Sequence, residues 1–290
     1  MTGCGSSDPT TGGTSPERAQ VAATSSAKVV AVGDIACPPG WRVTRKQCRH
    51  RKTAKAAIAL SPNRVIALGD LQYQKGRFRA FKRSYGKSWG RLRPITDPVP
   101  GNHEYYTRGA RGYYRYFRNR QPGPPGWYRR ELNGWQLYLL NSNCKKVDCR
   151  AQKAWLRAEM AANPATCSLI AMHAPRFSSG QHGGTKRMQG FWRIAYEHHT
   201  DIALAGHDHN YERFAPLSPA GAIEPTRGIQ GFVSGAGGKS LYPRKSAAPG
   251  SQRFIAKFGI LELTLRPDSY SWRFLGPRLG VRDSGSASCR

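Results

Sequence analysis

Acidic side chains are scarce in this sequence. Asp and Glu together number 17 of 290 residues, against 46 Lys and Arg, for a formal charge of +29. Such a surface attracts polyanions: nucleic acid, anionic lipid, teichoic-type polymers or phosphorylated small molecules. With so few carboxylates, the position of each one carries information. No run of 18 apolar residues occurs, so no transmembrane helix is expected. No two cysteines form a C-x-x-C pair, which argues against a zinc-ribbon framework. No internal repeat of fixed period runs through the chain.

What is present suits a folded enzyme-sized chain. Hydrophobic residues make up 39% and aromatics 10%. The length allows one large domain or two small ones. Seven cysteines remain to be explained. Cys144 and Cys149 close a short loop, CKKVDC, that suits a disulfide, and Cys37 with Cys48 bracket a basic loop and could pair likewise. Cys167 and Cys289 would then be left, with Cys4 odd. Six paired cysteines imply an oxidising compartment; free buried thiols imply a cytosolic one. Residues 1–27 are rich in Gly, Ser, Thr and Pro and read as a disordered linker. Thr2-Gly3-Cys4 resembles the end of a bacterial lipoprotein cleavage box. The expectation is a secreted or extracytoplasmic chain, lipid-anchored through Cys4.

Apolar runs punctuate the rest. Residues 27–34 and 64–70 each read as a buried strand ending in Gly-Asp. Helical spacing covers 44–60, 77–89, 151–162 and 187–198. A short strand and loop is expected at 95–106 and an irregular loop at 107–135; further strands are expected at 135–142, 168–175, 201–209 and 231–238, and the stretch 258–275 reads as a closing hairpin. Early alternation of strand and helix, followed by strands, indicates layered α/β architecture. One domain is expected over 28–275, followed by a tail over 276–290.

Five strand ends deliver metal-competent residues: Asp34, Asp70, Asn102-His103, His173, and His207 with His209. One Gly-Asp after a strand is usually a turn, and one His after an apolar run is usually structural. Five at the same topological place are a site, because loops past the carboxyl ends of strands form the clefts of open α/β sheets. In an extended strand end, residues i and i+2 point the same way, so His207 and His209 can face one region. Carboxylate, amide and imidazole without thiolate suit iron, manganese or zinc, not soft copper. The donors are too many for one ion and about right for two, which need a shared carboxylate.

In order, GD (33–34), GDLQY (69–73), GNHE (101–104), His173 and GHDH (206–209) resemble the calcineurin-like metallophosphoesterase superfamily. The match spans 28 to about 240. Many members have His two residues after the first Asp; here that position is Ala36. The purple acid phosphatase branch instead uses a tyrosine three residues after the second Asp, and Tyr73 stands there. GHDHNYER and FVSGAGG also look like this branch. The resemblance implies a four-layer α-β-β-α sandwich with two mixed β-sheets. It implies Fe(III) held by Asp34, Asp70, Tyr73 and His209. It implies a divalent Fe, Zn or Mn held by Asp70, Asn102, His173 and His207, with Asp70 bridging.

The implied activity is hydrolysis of phosphate monoesters by attack of a metal-bound hydroxide. His103 is the implied leaving-group acid or charge stabiliser, and His182 a second substrate-side histidine. Glu104 and Tyr105 receive no firm role. Arg176 is a weak phosphate contact, and His198-His199 read as surface. Residues 111–130 interleave arginine and aromatics; stacking at a site rim and a packed loop with solvated arginines both fit. The expected partner of this monomer is a phosphorylated small molecule, with an anionic envelope polymer or membrane surface as a further one and no dedicated nucleic acid. Two rivals are a phosphodiesterase or nucleotidase on the same site, and an inactive basic envelope-binding protein.

Overall fold

The computed structural model describes residues 1–3 and 26–290. Most of the expected N-terminal linker, Cys4 included, lies outside the described residues. In chain order the fold runs β1 (Ala27–Val32), α1 (His50–Ala59), β2 (Arg64–Leu68), α2 (Phe78–Arg83), β3 (Thr96–Val99), α3 (Asn102–Tyr105), α4 (Arg111–Tyr116) and β4 (Tyr128–Leu132). It continues through β5 (Trp135–Leu139), α5 (Cys149–Ala162), β6 (Ser168–Ala171), α6 (Gln189–Glu197), β7 (Ile202–Ala205), β8 (Tyr211–Leu217) and β9 (Ile229–Ser234). It closes with β10 (Ser251–Ile255), β11 (Ile260–Leu265), β12 (Ser269–Leu275) and β13 (Val281–Ser288).

The strands form two mixed sheets. One has six strands in the order β13-β12-β11-β1-β2-β3, the other seven in the order β10-β8-β9-β7-β6-β5-β4. Strand β1 shows how the layers arise. Val29 and Ala31 face the other sheet, while Val30 and Val32 face the helices. A strand covered on both sides reads as a continuous apolar run because neither face meets water. Ile66 and Leu68 meet Leu137, Leu169, Leu204 and Phe232 between the sheets. Ala54 and Ala57 of α1 and Phe81 of α2 cover one outer face. Leu156 and Met160 of α5 and Phe191 and Ile194 of α6 cover the other. The result is the expected α-β-β-α sandwich.

Several element boundaries differ from the pattern reading. The helix expected over 44–60 starts only at His50, because the Cys37–Cys48 disulfide and a left-handed Cys48 (φ 61°) bend the chain just before it. The helix expected over 77–89 ends at Arg83, and a 3-10 turn follows at Trp89–Ile95. The region 107–135 is not irregular throughout, since it contains α4 and β4. Tyr113, Tyr116 and Phe117 are buried there, and Arg120 and Arg130 pair with the buried Asp97. It is a packed segment.

The C-terminal residues are not a tail. Residues 281–288 pair antiparallel with β12 along its length, and Cys289 is disulfide-bonded to Cys167 beside β6. The sequence VRDSGSAS hid this because β13 is a polar edge strand, exposed or half-exposed throughout.

Candidate metal centre

The site grows out of the topology. Strands β1, β2 and β3 are parallel neighbours in one sheet, and β6 and β7 are parallel neighbours in the other. Their carboxyl ends therefore open at one edge of the sandwich. The first, second and last of these ends make the same turn. Asp34, Asp70 and His207 each follow a glycine and each adopt positive φ, at 59°, 49° and 72°. Asp and His tolerate the left-handed region better than most residues, at a cost of order 1 kcal/mol each. The turn swings each side chain back over the strand ends. Close approach explains two of the glycines. A Cβ on Gly69 (φ 78°) would meet His173 Nδ1 at 2.6 Å, and one on Gly101 would meet Asp70 Oδ1 at 2.1 Å.

All seven expected donors converge, in two groups that share Asp70. In the first, Tyr73 Oη lies 2.8 Å from Asp34 Oδ1, 3.1 Å from Asp70 Oδ2 and 3.0 Å from His209 Nε2. In the second, His173 Nε2 lies 3.5 Å from Asp70 Oδ2, 3.1 Å from Asn102 Oδ1 and 3.2 Å from His207 Nδ1. The imidazole tautomers are held from behind. His173 Nδ1 lies 2.8 Å from the Leu68 carbonyl, to which it donates, and His209 Nδ1 lies 2.8 Å from Ser240 Oγ. Each of these two rings thereby keeps Nε2 toward the centre.

The electrostatics call for cations. Asp34 and Asp70 are fully buried, and among the described residues neither pairs with Lys or Arg. Burial opposes ionisation of Asp70, but His173 and His103 outweigh it and hold the carboxyl well below the usual range. Burial alone would depress His173, but Asp70 lifts it to about 10. Burial, reinforced by the neighbouring His173, holds His207 down to about 3. Burial, then Asp34 and Asp70, push the Tyr73 phenol well above its ordinary value. Two buried carboxylates are costly without positive charge beside them. Hard oxygen donors beside imidazoles suit borderline metal cations, and Asp70, His173 and His207 alone already place ligand atoms within 4.8 Å of one another.

A surrounding layer fixes these donors, and the sequence reading assigned it no role. Buried Glu104 accepts backbone N–H groups from Gly101 (2.8 Å), Asp70 (2.9 Å) and Leu71 (3.0 Å), tying two motif loops together. Asp208 stands between the two histidines of GHDH. It accepts from Ser178 Oγ at 2.5 Å and from the backbone N–H of His182 at 2.7 Å. The clue was available in both cases: a carboxylate inside the motif, in a chain short of carboxylates. Ser240 and Tyr242 had no such signal. Tyr242 stacks on His209 with ring centroids 4.1 Å apart.

The centre opens into a cleft of about 520 Å3 lined by Asn102, Tyr106, His173, His182 and His207, with Lys145 and Arg187 at its edge. His103 is at the centre: Nε2 lies 3.8 Å from Asp70 Oδ2, and Nδ1 donates to the Gln74 carbonyl at 2.6 Å. His182 is exposed at the rim and stacks on His207 at 4.5 Å. Arg176 is spent elsewhere, over the Phe177 ring and on the Pro219 carbonyl. His198 and His199 follow α6 and line a separate cavity beside Cys289.

Two mixed sheets, with carboxylates and imidazoles gathered where their parallel strands end, define a metal-dependent hydrolase scaffold. The chain belongs to the calcineurin-like phosphoesterase family, whose model matches residues 27–211. It is 29% identical over 181 residues to a phosphoenolpyruvate phosphatase of Allium cepa, covering 53% of this chain and 37% of that protein. It is 25% identical over 185 residues to purple acid phosphatase 21 of Arabidopsis thaliana, covering 61% and 37%. The chain thus spans little more than a third of the length of these curated relatives. The fold matches that of purple acid phosphatase PPD1 from yellow lupin seeds with a TM-score of 0.73 and 20% identity, over 91% of this chain and 54% of that one. Within the family, the chain is purple acid phosphatase-like.

Proposed function

We propose that this protein hydrolyses phosphate monoesters at a dinuclear metal centre. The observation that carries the reading is the position of Asp70, whose carboxylate belongs to both donor groups. Asp34, Asp70, Tyr73 and His209 would hold a ferric ion; Asp70, Asn102, His173 and His207 would hold a divalent Fe, Zn or Mn. Bound there, the two ions supply an acidified water as nucleophile and screen the charge of the phosphate.

The chain's own residues do the rest. Asp70 must stay ionised to serve two cations, and the backbone N–H of His103 steadies its Oδ1 at 2.8 Å. The Leu68 carbonyl and Ser240 hold His173 and His209 in the tautomer that presents Nε2. The Gln74 carbonyl accepts a hydrogen bond from Nδ1–H of His103, which leaves Nε2 on the Asp70 side. As imidazolium, His103 gives its Nε2 proton to the departing ester oxygen. His182 reaches the substrate from the rim. Six paired cysteines support an oxidising, extracytoplasmic location, reached by secretion or by a lipid on Cys4. The substrate is a phosphorylated small molecule.

The test is hydrolysis of an aryl phosphate monoester and an aryl phosphate diester by the metal-loaded protein, beside Asp70→Asn. Monoester turnover that vanishes in the variant supports the reading. A preference for the diester makes the protein a phosphodiesterase on the same site. No turnover on either, across acid to alkaline pH and with iron, zinc and manganese, rejects catalysis.

A further inference from the structure

A large groove lies outside the metal centre. It has a volume of about 930 Å3 and runs between α1 and the turns that lead into β11 and β13. Lys and Arg are 46 of 290 residues in the chain, about one in six, but seven of the sixteen residues lining this groove. No acidic residue lines it.

The cations stand on both walls. Arg49, Lys52 and Lys55 come from the start of α1, with Arg45 beyond them; Lys257 and Arg278 come from the facing turns and Arg282 from the start of β13. None of the seven forms an ion pair among the described residues; the nearby Asp283 is taken up by Arg213 and Tyr211. Arg282 is partly buried with its guanidinium on the Phe258 carbonyl, and burial lowers its pKa. So much like charge on facing walls repels itself, and in water it favours any anion that can lie between.

The groove is also long. A second cavity, of about 570 Å3, shares Lys257, Val281 and Arg282 with it and adds Arg253. Its aromatic residues do not offer a stacking platform, because Phe258 is buried and Phe254 lies under Arg244. Single-stranded nucleic acid is held by stacked bases as well as by charge. Here only the charge is provided. Neighbours of the lining residue Leu241, namely Ser240 and Tyr242, touch His209, so the groove runs up to the back of the metal centre.

We propose that this groove binds a linear, phosphate-bearing polymer without bases, holding the chain along a run of closely spaced negative charges. The binding does not depend on the phosphoesterase reading.

The test uses linear inorganic polyphosphate of tens of units, titrated calorimetrically at several salt concentrations. The groove variant is Lys52→Glu/Lys55→Glu/Arg278→Glu. The control, Lys87→Glu/Arg91→Glu/Arg118→Glu, makes the same charge change at exposed positions outside both cavities. The groove variant should lose about tenfold or more in affinity and show a shallower salt slope, while the control loses no more than about twofold. Equal losses in the two variants would mean that net charge alone does the binding, and would overturn the proposal. Single-stranded DNA of equal charge binding as tightly as polyphosphate would overturn the choice of polymer. Circular dichroism and aryl phosphate hydrolysis report whether the variants are folded. If no variant hydrolyses the ester but polyphosphate still binds in the groove, the phosphoesterase reading fails and this one stands.

Discussion

The Tyr73 hydroxyl lies 2.8 Å from Asp34 Oδ1, both side chains being buried. A phenol so placed, with its pKa pushed up by burial and by two carboxylates, ionises only if a cation takes the proton's place. A phenolate on ferric iron absorbs visible light by charge transfer. Protein loaded with ferric iron should therefore be coloured, and Tyr73→Phe should lose the visible band while keeping its far-ultraviolet circular dichroism. A variant that keeps the band would place another ligand at the iron.

Asp70 is the donor common to both groups. On the proposed dinuclear reading, Asp70→Asn would remove one negative charge from between two cations and offer them one oxygen in place of two. Metal content, read by elemental analysis, should fall from two ions to one or none per chain. Turnover should drop at least about 100-fold, the upper range seen even for ligand-supporting residues. An Asn variant that retains two ions would deny the bridging role.

His103 can be separated from the ligands. Its backbone N–H braces Asp70, and its ring lies tilted against Tyr73 with centroids 4.3 Å apart. His103→Ala keeps the backbone contact and loses the ring. Turnover should fall by roughly 10²-fold or more with metal content intact. The loss should shrink for substrates with good leaving groups, which need no proton. Loss of metal from this variant would show that His103 is itself a ligand.

How far the site could be read in the sequence follows from where its residues sit. Asp34, Asp70, Asn102, His173, His207 and His209 stand at strand ends marked by apolar runs and glycines, so pattern alone located them. Glu104 and Asp208 lay inside the same motifs, but their hydrogen bonds run to loops about 25 to 35 residues distant, which no local pattern reveals. Ser240 and Tyr242 reach His209 from a glycine-rich turn with no motif of their own. The fold's central strands were legible because they are apolar on both faces. β13 was not, because a polar edge strand carries no hydrophobic period. Helices α1 and α2 were misjudged in length because a disulfide and a 3-10 turn override helix propensity.

His50 gives a pH dependence away from the metals. It is buried at the start of α1, and burial, with Arg51 beside it, lowers its pKa from 6.5 to about 4. The folded state therefore prefers neutral imidazole. The stability this contributes is present above pH 6.5 and is lost as pH falls through 4, by up to about 3 kcal/mol. His50→Gln cannot take a proton, so its stability should fall less steeply over that window. Urea unfolding of both proteins between pH 4 and 7 checks this. Parallel curves would mean that His50 is hydrated and titrates normally.

The three disulfides should not be worth the same. Cys167 and Cys289 are 122 residues apart in sequence, whereas Cys144 and Cys149 are 5 apart. In the chain-entropy account, a cross-link restricts the unfolded chain more as the loop it closes lengthens. The Cys167–Cys289 bond also pins the end of the edge strand β13 to the beginning of β6, across from Tyr270 and Trp135 in the inter-sheet core. Replacing both Cys167 and Cys289 with Ser should cost about 2–5 kcal/mol in denaturant unfolding and loosen β13 first. The Cys144–Cys149 bond closes too short a loop to matter as much, so the corresponding double replacement should cost less. Hydrogen exchange separates the two effects. Amides of β13 should lose protection in the first variant and keep it in the second; equal protection in both would leave β13 held by its pairing with β12 alone.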